Sequence, residues 1–432
     1  MRCAKAHAAP PGCRGAAVAA TEDKRWAGIA GRREAAGERA GERPAHRWPG
    51  LRWPAGLGRG LRALGGVLTA LFGSTLAALS GGVLGGLSAG AQAATLPEDR
   101  AEALLHSYRG GGISAGGPAF LVRKSLAGRV SLSASAYVDA VSNASVDVVT
   151  TASPYRETRR ALDLSLDTVV RDATITLGLS NSREPDYVAD SLSLDVAQEF
   201  FGGMSTLNLG FSRGADKVGA RTRGFFDTAH HWNYRLGLTQ VLTPRWMASA
   251  NLEVVSDDGY LGNPYRVARI FGAAVAERVP RTRTSRSLKL RATGDLGSRD
   301  ALRLEYRYFW DTWDIRAHTL EAGYSRYLGT KWLLDAGVRW HTQDKALFYS
   351  DNATAETLYV TRNRQLGTAS NWGLSSRLTV NLPKWWGGRF DPRLSGQLEL
   401  KRFDFKDYTD LRTGLPYRHN AALMQVYLSG SF

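Results

Sequence analysis

After Cys13 the chain contains no cysteine. Residues 14–432 therefore offer no thiolate nucleophile, no disulfide framework and no thiolate metal ligand. Long apolar runs are missing too: beyond Ala94 none approaches the ~20 residues that a membrane helix needs. The sequence has no G-x-S-x-G elbow and no H-x-x-H or H-E-x-x-H pair, and no G-K-[ST] follows Gly110-Gly111-Gly112. These absences predict no enzyme, no catalytic residues, no metal and no cofactor.

What is present points to a β protein. The 432 residues are 43% hydrophobic and 22% charged, which excludes disorder throughout. Glycine (47) and tryptophan (12) are both plentiful, a pairing that suits many turns and half-buried strands. The net charge is +16, but half of it lies in residues 1–62, with 13 Lys and Arg against 5 Asp and Glu. The modest remainder, spread over 63–432, does not predict a nucleic-acid binder.

Residues 1–62 are rich in Ala, Gly and Arg and lack apolar periodicity. They read as a disordered basic leader, or as sequence upstream of the true translation start. Arg59 and Arg62 then precede an uncharged stretch that ends in Ala91-Gln92-Ala93. A basic flank, an apolar core and an A-x-A site predict a signal peptide over 63–93, cleaved near Ala93, with a transmembrane anchor as the alternative. Residues 94–116 are expected to be a periplasmic segment that forms a plug or a first strand, and 117–432 a barrel.

From Val130 onward, apolar and polar residues alternate in segment after segment. Val130, Leu132, Ala134, Ala136 and Val138 alternate with serines, and Leu162, Leu164 and Leu166 with Asp163, Ser165 and Asp167. Period two means one apolar face per strand. Fourteen such segments run to Phe432, and Gly117–Ser125 adds a fifteenth. Connectors alternate as well. Short ones such as Ala127-Gly128, Arg171-Asp172 and Thr243-Pro244 take turns with long ones at 140–160, 181–190, 213–230, 256–285, 311–318, 341–371 and 404–420. This pattern predicts a closed antiparallel transmembrane β-barrel of 14 to 16 strands, with the long loops extracellular. The competing fold is a soluble β-sandwich.

On that reading the polar face lines the lumen. It carries Asp163, Asp167, Asp195, Glu253, Glu305, Glu321, Asp335 and Glu399, balanced by Arg235, Lys289, Arg291, Arg303, Arg307, Arg339, Arg377 and Lys401. The balance argues for ion-paired packing or a mixed-polarity pore. Leu302, Leu304, Leu334, Val338 and Leu398 should face lipid. Trp332 and Trp340 share one face eight residues apart, about 20 Å of height at ~3.3 Å per residue and ~40° tilt, close to a lipid-facing band of roughly 25 Å. With Trp232, Trp246, Trp310, Trp372, Trp385 and Trp386 they form the expected aromatic girdles. Met424, Val426, Leu428 and Phe432 share one face of the last strand, a pattern that resembles the signal recognised by the barrel-assembly machinery of Gram-negative bacteria.

Other candidates read as ordinary surface. His230, His231, His318, His341 and His419 lie in or beside long loops and are expected to be solvated. Ser256-Asp257-Asp258-Gly259 reads equally as a turn or as a set of hard oxygens for calcium. The basic run Arg278, Arg281, Arg283, Arg286, Lys289 and Arg291 is a solvated edge, or a site for lipopolysaccharide phosphates or an anionic solute.

Several stretches also resemble one family of Gram-negative envelope proteins, the domain-of-unknown-function 3570 family. They are LPEDRAEALLHSYRGGGISAGGP (96–118), LVRKS (121–125), YVDAVSNASVDVVTTASPY (137–155), GYLGNPYR (259–266), LRLEYRYFWDTWDIRAHTLEAGYSR (302–326) and FYSD (348–351). The resemblance implies an outer-membrane or surface β protein, and no activity. Two functions follow as expectations. One is a channel or transporter for small solutes. The other is a structural or partner-binding barrel with a plugged lumen, serving an envelope lipoprotein or redox component. Outer-membrane lipid and lipopolysaccharide are the expected surroundings.

Overall fold

A computed structural model describes residues 94–143, 145 and 155–432. The expected leader (1–62) and signal peptide (63–93) lie outside the described residues.

The alternating segments pair in sequence order into one closed antiparallel barrel. Its sixteen strands are β1 (Arg100–Gly110), β2 (Ile113–Leu126), β3 (Val130–Asn143), β4 (Tyr155–Val170), β5 (Ala173–Arg183), β6 (Tyr187–Phe200), β7 (Ser205–Ala220), β8 (Phe225–Thr243), β9 (Trp246–Gly259), β12 (Thr282–Gly297), β13 (Asp300–Asp311), β14 (Arg316–Leu328), β15 (Trp332–Gln343), β16 (Ala369–Asn381), β17 (Asp391–Asp410) and β18 (Leu415–Ser431). A separate hairpin, β10 (Val267–Ile270) and β11 (Ala273–Ala276), sits between β9 and β12. β1 pairs with both β2 and β18, which leaves no open edge for lipid to meet. The barrel begins at Arg100, so the 94–116 segment supplies β1 and the start of β2.

Tight turns close one end. At Ala127-Gly128 both residues take positive φ, which costs glycine nothing and marks the reversal. The other end differs from expectation in one respect. Most of 181–190, 213–230 and 404–420 is strand: β5 and β6 are joined by residues 184–186 alone, β7 and β8 by 221–224, and β17 and β18 by 411–414. Those strands extend beyond their apolar stretch, and ladder hydrogen bonds hold them where alternation fades.

The outer face is apolar. Leu304, Val338 and Leu398 are 45%, 44% and 44% exposed, values that make sense only against lipid. A barrel this wide is not filled by its own side chains, and the packed clusters lie elsewhere. Trp313, Ile315, Ala346 and Tyr349 form one, joined by Leu261, Val279 and Phe309. Ala268, Ile270 and Val360 form another. A third joins Ala369, Phe405, Tyr408 and Tyr417. All three are at the long-loop end: the first two involve the long loops, which form a cap, and the third lies on the ends of β16, β17 and β18.

Candidate functional site

The cap comes from two loops. Residues 260–281 and 344–368 meet through the bridges Ile270–Ala353 and Arg278–Val360. Arg362 fixes the second loop to the barrel. Its Nε donates to Asp351 Oδ1 (2.8 Å), another nitrogen donates to the Thr409 carbonyl (2.5 Å), and the guanidinium lies 4.1 Å over the Tyr408 ring. Arg364 stacks nearby on Phe405 and Tyr417, at 5.9 and 5.6 Å. Burying an arginine is costly unless it is compensated: Arg362 finds charge-assisted bonds and a π face, and Arg364 lies over two rings. The cap is thus a packed element.

Against the cap lies a cavity of about 520 Å³, within the range of small-molecule sites. Most of its charges are sorted by strand, with Asp257 on β9 and Arg266 in the cap as exceptions. Glu157 on β4 and Glu184 and Asp186 between β5 and β6 bring acid to one wall. Arg283 on β12, Arg307 on β13 and Arg339 on β15 bring base to the wall across the barrel. Tyr187, Tyr260, Tyr265, Phe309 and Trp313 supply rings between them. Burial raises the Tyr260 hydroxyl to about 12, assisted by Glu277 and Asp227. Arg283 is doubly held, 2.5 Å from Asp311 and 4.5 Å over Trp313.

Further down, eight of the sixteen inward charges form ion pairs, three of the four pairs across strands and Lys401–Glu399 within β17. Arg235 donates to Asp195 at 2.6 Å, Arg291 to Glu305 at 2.5 Å and Arg339 to Glu321 at 3.1 Å, while Lys401 bridges Glu399 at 3.0 Å. Hydroxyls and amides serve most of the rest. Asp163 accepts from Ser135 and Ser180, Asp167 from Thr176, Asp335 from Ser325, and Glu253 from Asn233 and Ser287. Arg377 donates to Gln397. Lys289 and Arg307 face each other in register across β12 and β13, and Arg303 packs over Gly323.

The tryptophans take the outer positions. Trp232 carries Arg213 at 4.7 Å, Trp310 stacks on Tyr308, and Trp340 lies beside Trp372 at 6.3 Å. Trp246 and Trp332 open β9 and β15 at the tight-turn end, where Trp385 and Trp386 gather around Phe390. Gly294 is the floor under Trp246: an added Cβ would sit 2.5 Å from the indole.

Four readings need correction. His341 is not a solvated loop residue but part of β15, half-buried, with its Nδ1 2.8 Å from the Thr319 hydroxyl. Nor is His231 a solvated loop residue. Its Nδ1 lies 2.7 Å from Asp257 and its Nε2 2.9 Å from Asp216, with the Tyr187 hydroxyl donating to the same Asp216. Ser256-Asp257-Asp258-Gly259 is no turn either; it is the end of β9. His419 stacks on Phe403 at 4.8 Å inside the aromatic cluster. Sequence reasoning also passed over His106, whose Nε2 is 2.6 Å from Asp139 and 2.9 Å from the Tyr137 hydroxyl. The signal was available, since His106 and Asp139 both fall on inward positions.

A closed barrel with a bare apolar exterior, a paired polar interior and a loop-built cap defines a membrane-spanning barrel protein. The profile of the family described as "Protein of unknown function (DUF3570)" matches residues 72–376, and the chain belongs to that family. No curated protein matches it. Among solved structures it is similar to a bacterial polysaccharide outer membrane secretin (TM-score 0.45, 9% identity, 77% of this chain and 98% of that one). It is also similar to the CymD monoaromatic hydrocarbon channel (0.39, 11%, 78% and 89%) and to the siderophore receptor PirA from Pseudomonas aeruginosa (0.38, 10%, 77% and 81%). Likeness this distant says nothing of solute or partner.

Proposed function

We propose that the chain is an outer-membrane channel that admits small polar solutes through a charge-sorted vestibule beneath its cap. The observation that carries this reading is the cavity itself, with carboxylates on the β4–β6 side and guanidiniums on the β12–β15 side. Opposed walls of this kind orient a solute carrying both an acceptor and a donor group, and they disfavour a strongly anion-selective pore. The mutual pairing of lumen charges keeps their net field small, which suits passage better than tight capture.

The packed cap favours a second reading, a plugged barrel that holds an envelope lipoprotein or redox partner. Reconstitution separates the two. Liposomes containing the folded barrel should swell in amino acids and other small zwitterions faster than in neutral sugars of equal size. Arg339→Ala should reduce that preference. Absence of swelling in every small solute, with the barrel heat-modifiable and inserted, would leave the plugged reading.

A further inference from the structure

Outward positions at the long-loop rim carry cations that no side chain answers. Arg160 on β4 and Arg183 on β5 are directly opposed in register. Arg183 pairs on with Val188 of β6, and Val188 with Lys217 of β7, so the three cations share one transverse row. All three are exposed, and none has a hydrogen-bond or ion-pair partner among the described residues. Asp190, the acid nearest along β6, accepts from Asn181 instead. Strands lie about 4.8 Å apart, and like charges directly opposite one another destabilise a ladder. Arg160 and Arg183 repel each other directly, and that repulsion would be offset by an anion lying over the row.

Its height identifies the cover. Immediately below Arg160 the same face continues as exposed Leu162, Leu164 and Leu166, and below Arg183 as Leu179 and Leu177. A molecule lying on this surface meets cations at one end and an apolar wall beneath. Arg213, four residues down β7 from Lys217, rests on the girdle residue Trp232 and lies in register with Leu192 and Leu179, below the row.

We propose that the Arg160–Arg183–Lys217 row binds the phosphates of a multiply phosphorylated glycolipid, lipopolysaccharide, whose acyl chains cover the leucines below. Adjacent guanidinium forks suit phosphate oxygens in a bidentate manner, and several cations with one nearby acid favour a multivalent anion over a singly charged headgroup. The proposal rests on the lipid-facing reading of the outer belt.

The test uses the full chain, folded and inserted into phosphatidylcholine vesicles doped with lipid A or, at matched charge, with phosphatidylglycerol. Lipid retained per barrel after detergent extraction is the readout. The wild type should retain lipid A well above phosphatidylglycerol, and inorganic phosphate should displace it poorly. The triple variant Arg160→Ala, Arg183→Ala, Lys217→Ala should lose at least about tenfold in retention, as removal of charge-assisted hydrogen bonds implies. Arg171→Ala, at the opposite end, should leave retention unchanged, and lysines at 160 and 183 should restore part of it. Unchanged retention in a heat-modifiable triple variant overturns the proposal, as does equal retention of phosphatidylglycerol. A barrel that fails to enter even pure phosphatidylcholine vesicles removes the belt reading first, and the proposal with it.

Discussion

The Lys124 ammonium sits 4.8 Å over the Phe432 ring, at the seam where β1 closes on β18 and β2. Asp99 completes the clasp. Its carboxylate lies 2.6 Å from the Lys124 ammonium and accepts from the Ser125 backbone and hydroxyl, while its carbonyl accepts the Phe432 N–H at 3.1 Å. Deleting Phe432 should therefore loosen the closing seam as well as blunt any assembly signal. A lower yield of heat-modifiable barrel is the expected outcome, and Lys124→Ala should reproduce part of it.

The same clasp has a pH signature. The Lys124 ammonium and the Ser125 donors hold the Asp99 carboxyl at about 2, below its ordinary 3.8. A lowered folded value stabilises the native state above the unfolded value, and that contribution is lost as pH falls through the folded one. Asp99→Asn should lower the urea midpoint near neutral pH. The difference from wild type should shrink between pH 4 and 2.

Lumen pairs answer to a different measurement. Glu305→Gln removes the carboxylate that takes two bonds from Arg291, and should cost about 1–3 kcal/mol because both groups are half-buried or better. It also leaves Arg291 uncompensated in the lumen. In planar bilayers the reversal potential should move toward anion preference, and Arg291→Gln should move it the other way.

Orientation is testable because the chain has no thiol after Cys13. Phe271 and Leu358, on the cap, are 72% and 76% exposed. Cysteines placed there should react with an impermeant maleimide on intact cells, while Arg171→Cys at a tight turn should react only after lysis. Reversed labelling would mean inverted insertion.

The span of the barrel is legible in the sequence because its strands are constrained on both faces. One side must be apolar for lipid and the other polar for water, so Leu162, Leu304 and Leu398 give away their strands by period two. The extensions around 181–190 and 213–230 pass beyond lipid, where the outer face need not be apolar. Period two fades there, although inward contacts such as Tyr187–Asp216–His231 help hold the strands. The cap is illegible for a related reason. Trp313, Tyr349 and Val360 pack across long sequence separations without periodicity, and Arg362 and Arg364 look like surface residues until the rings beneath them are known. His231 was hidden in the same way, since its carboxylate partners lie 15 and 26 residues away.

Replacing Leu304 with Arg puts a charge on the lipid face and should cost ~2–4 kcal/mol near the midplane, whereas Arg303→Leu acts only through the lumen. The alternation behind that contrast can be read directly. Nitroxide labels attached one at a time at 302, 303, 304 and 305, in barrels inserted into liposomes, report collision with lipid-soluble oxygen and with a water-soluble nickel chelate. The structure predicts oxygen access at 302 and 304 and chelate access at 303 and 305. Labels at 302 and 304 shielded from both reagents would place those leucines in a closed interior and contradict the membrane-spanning barrel.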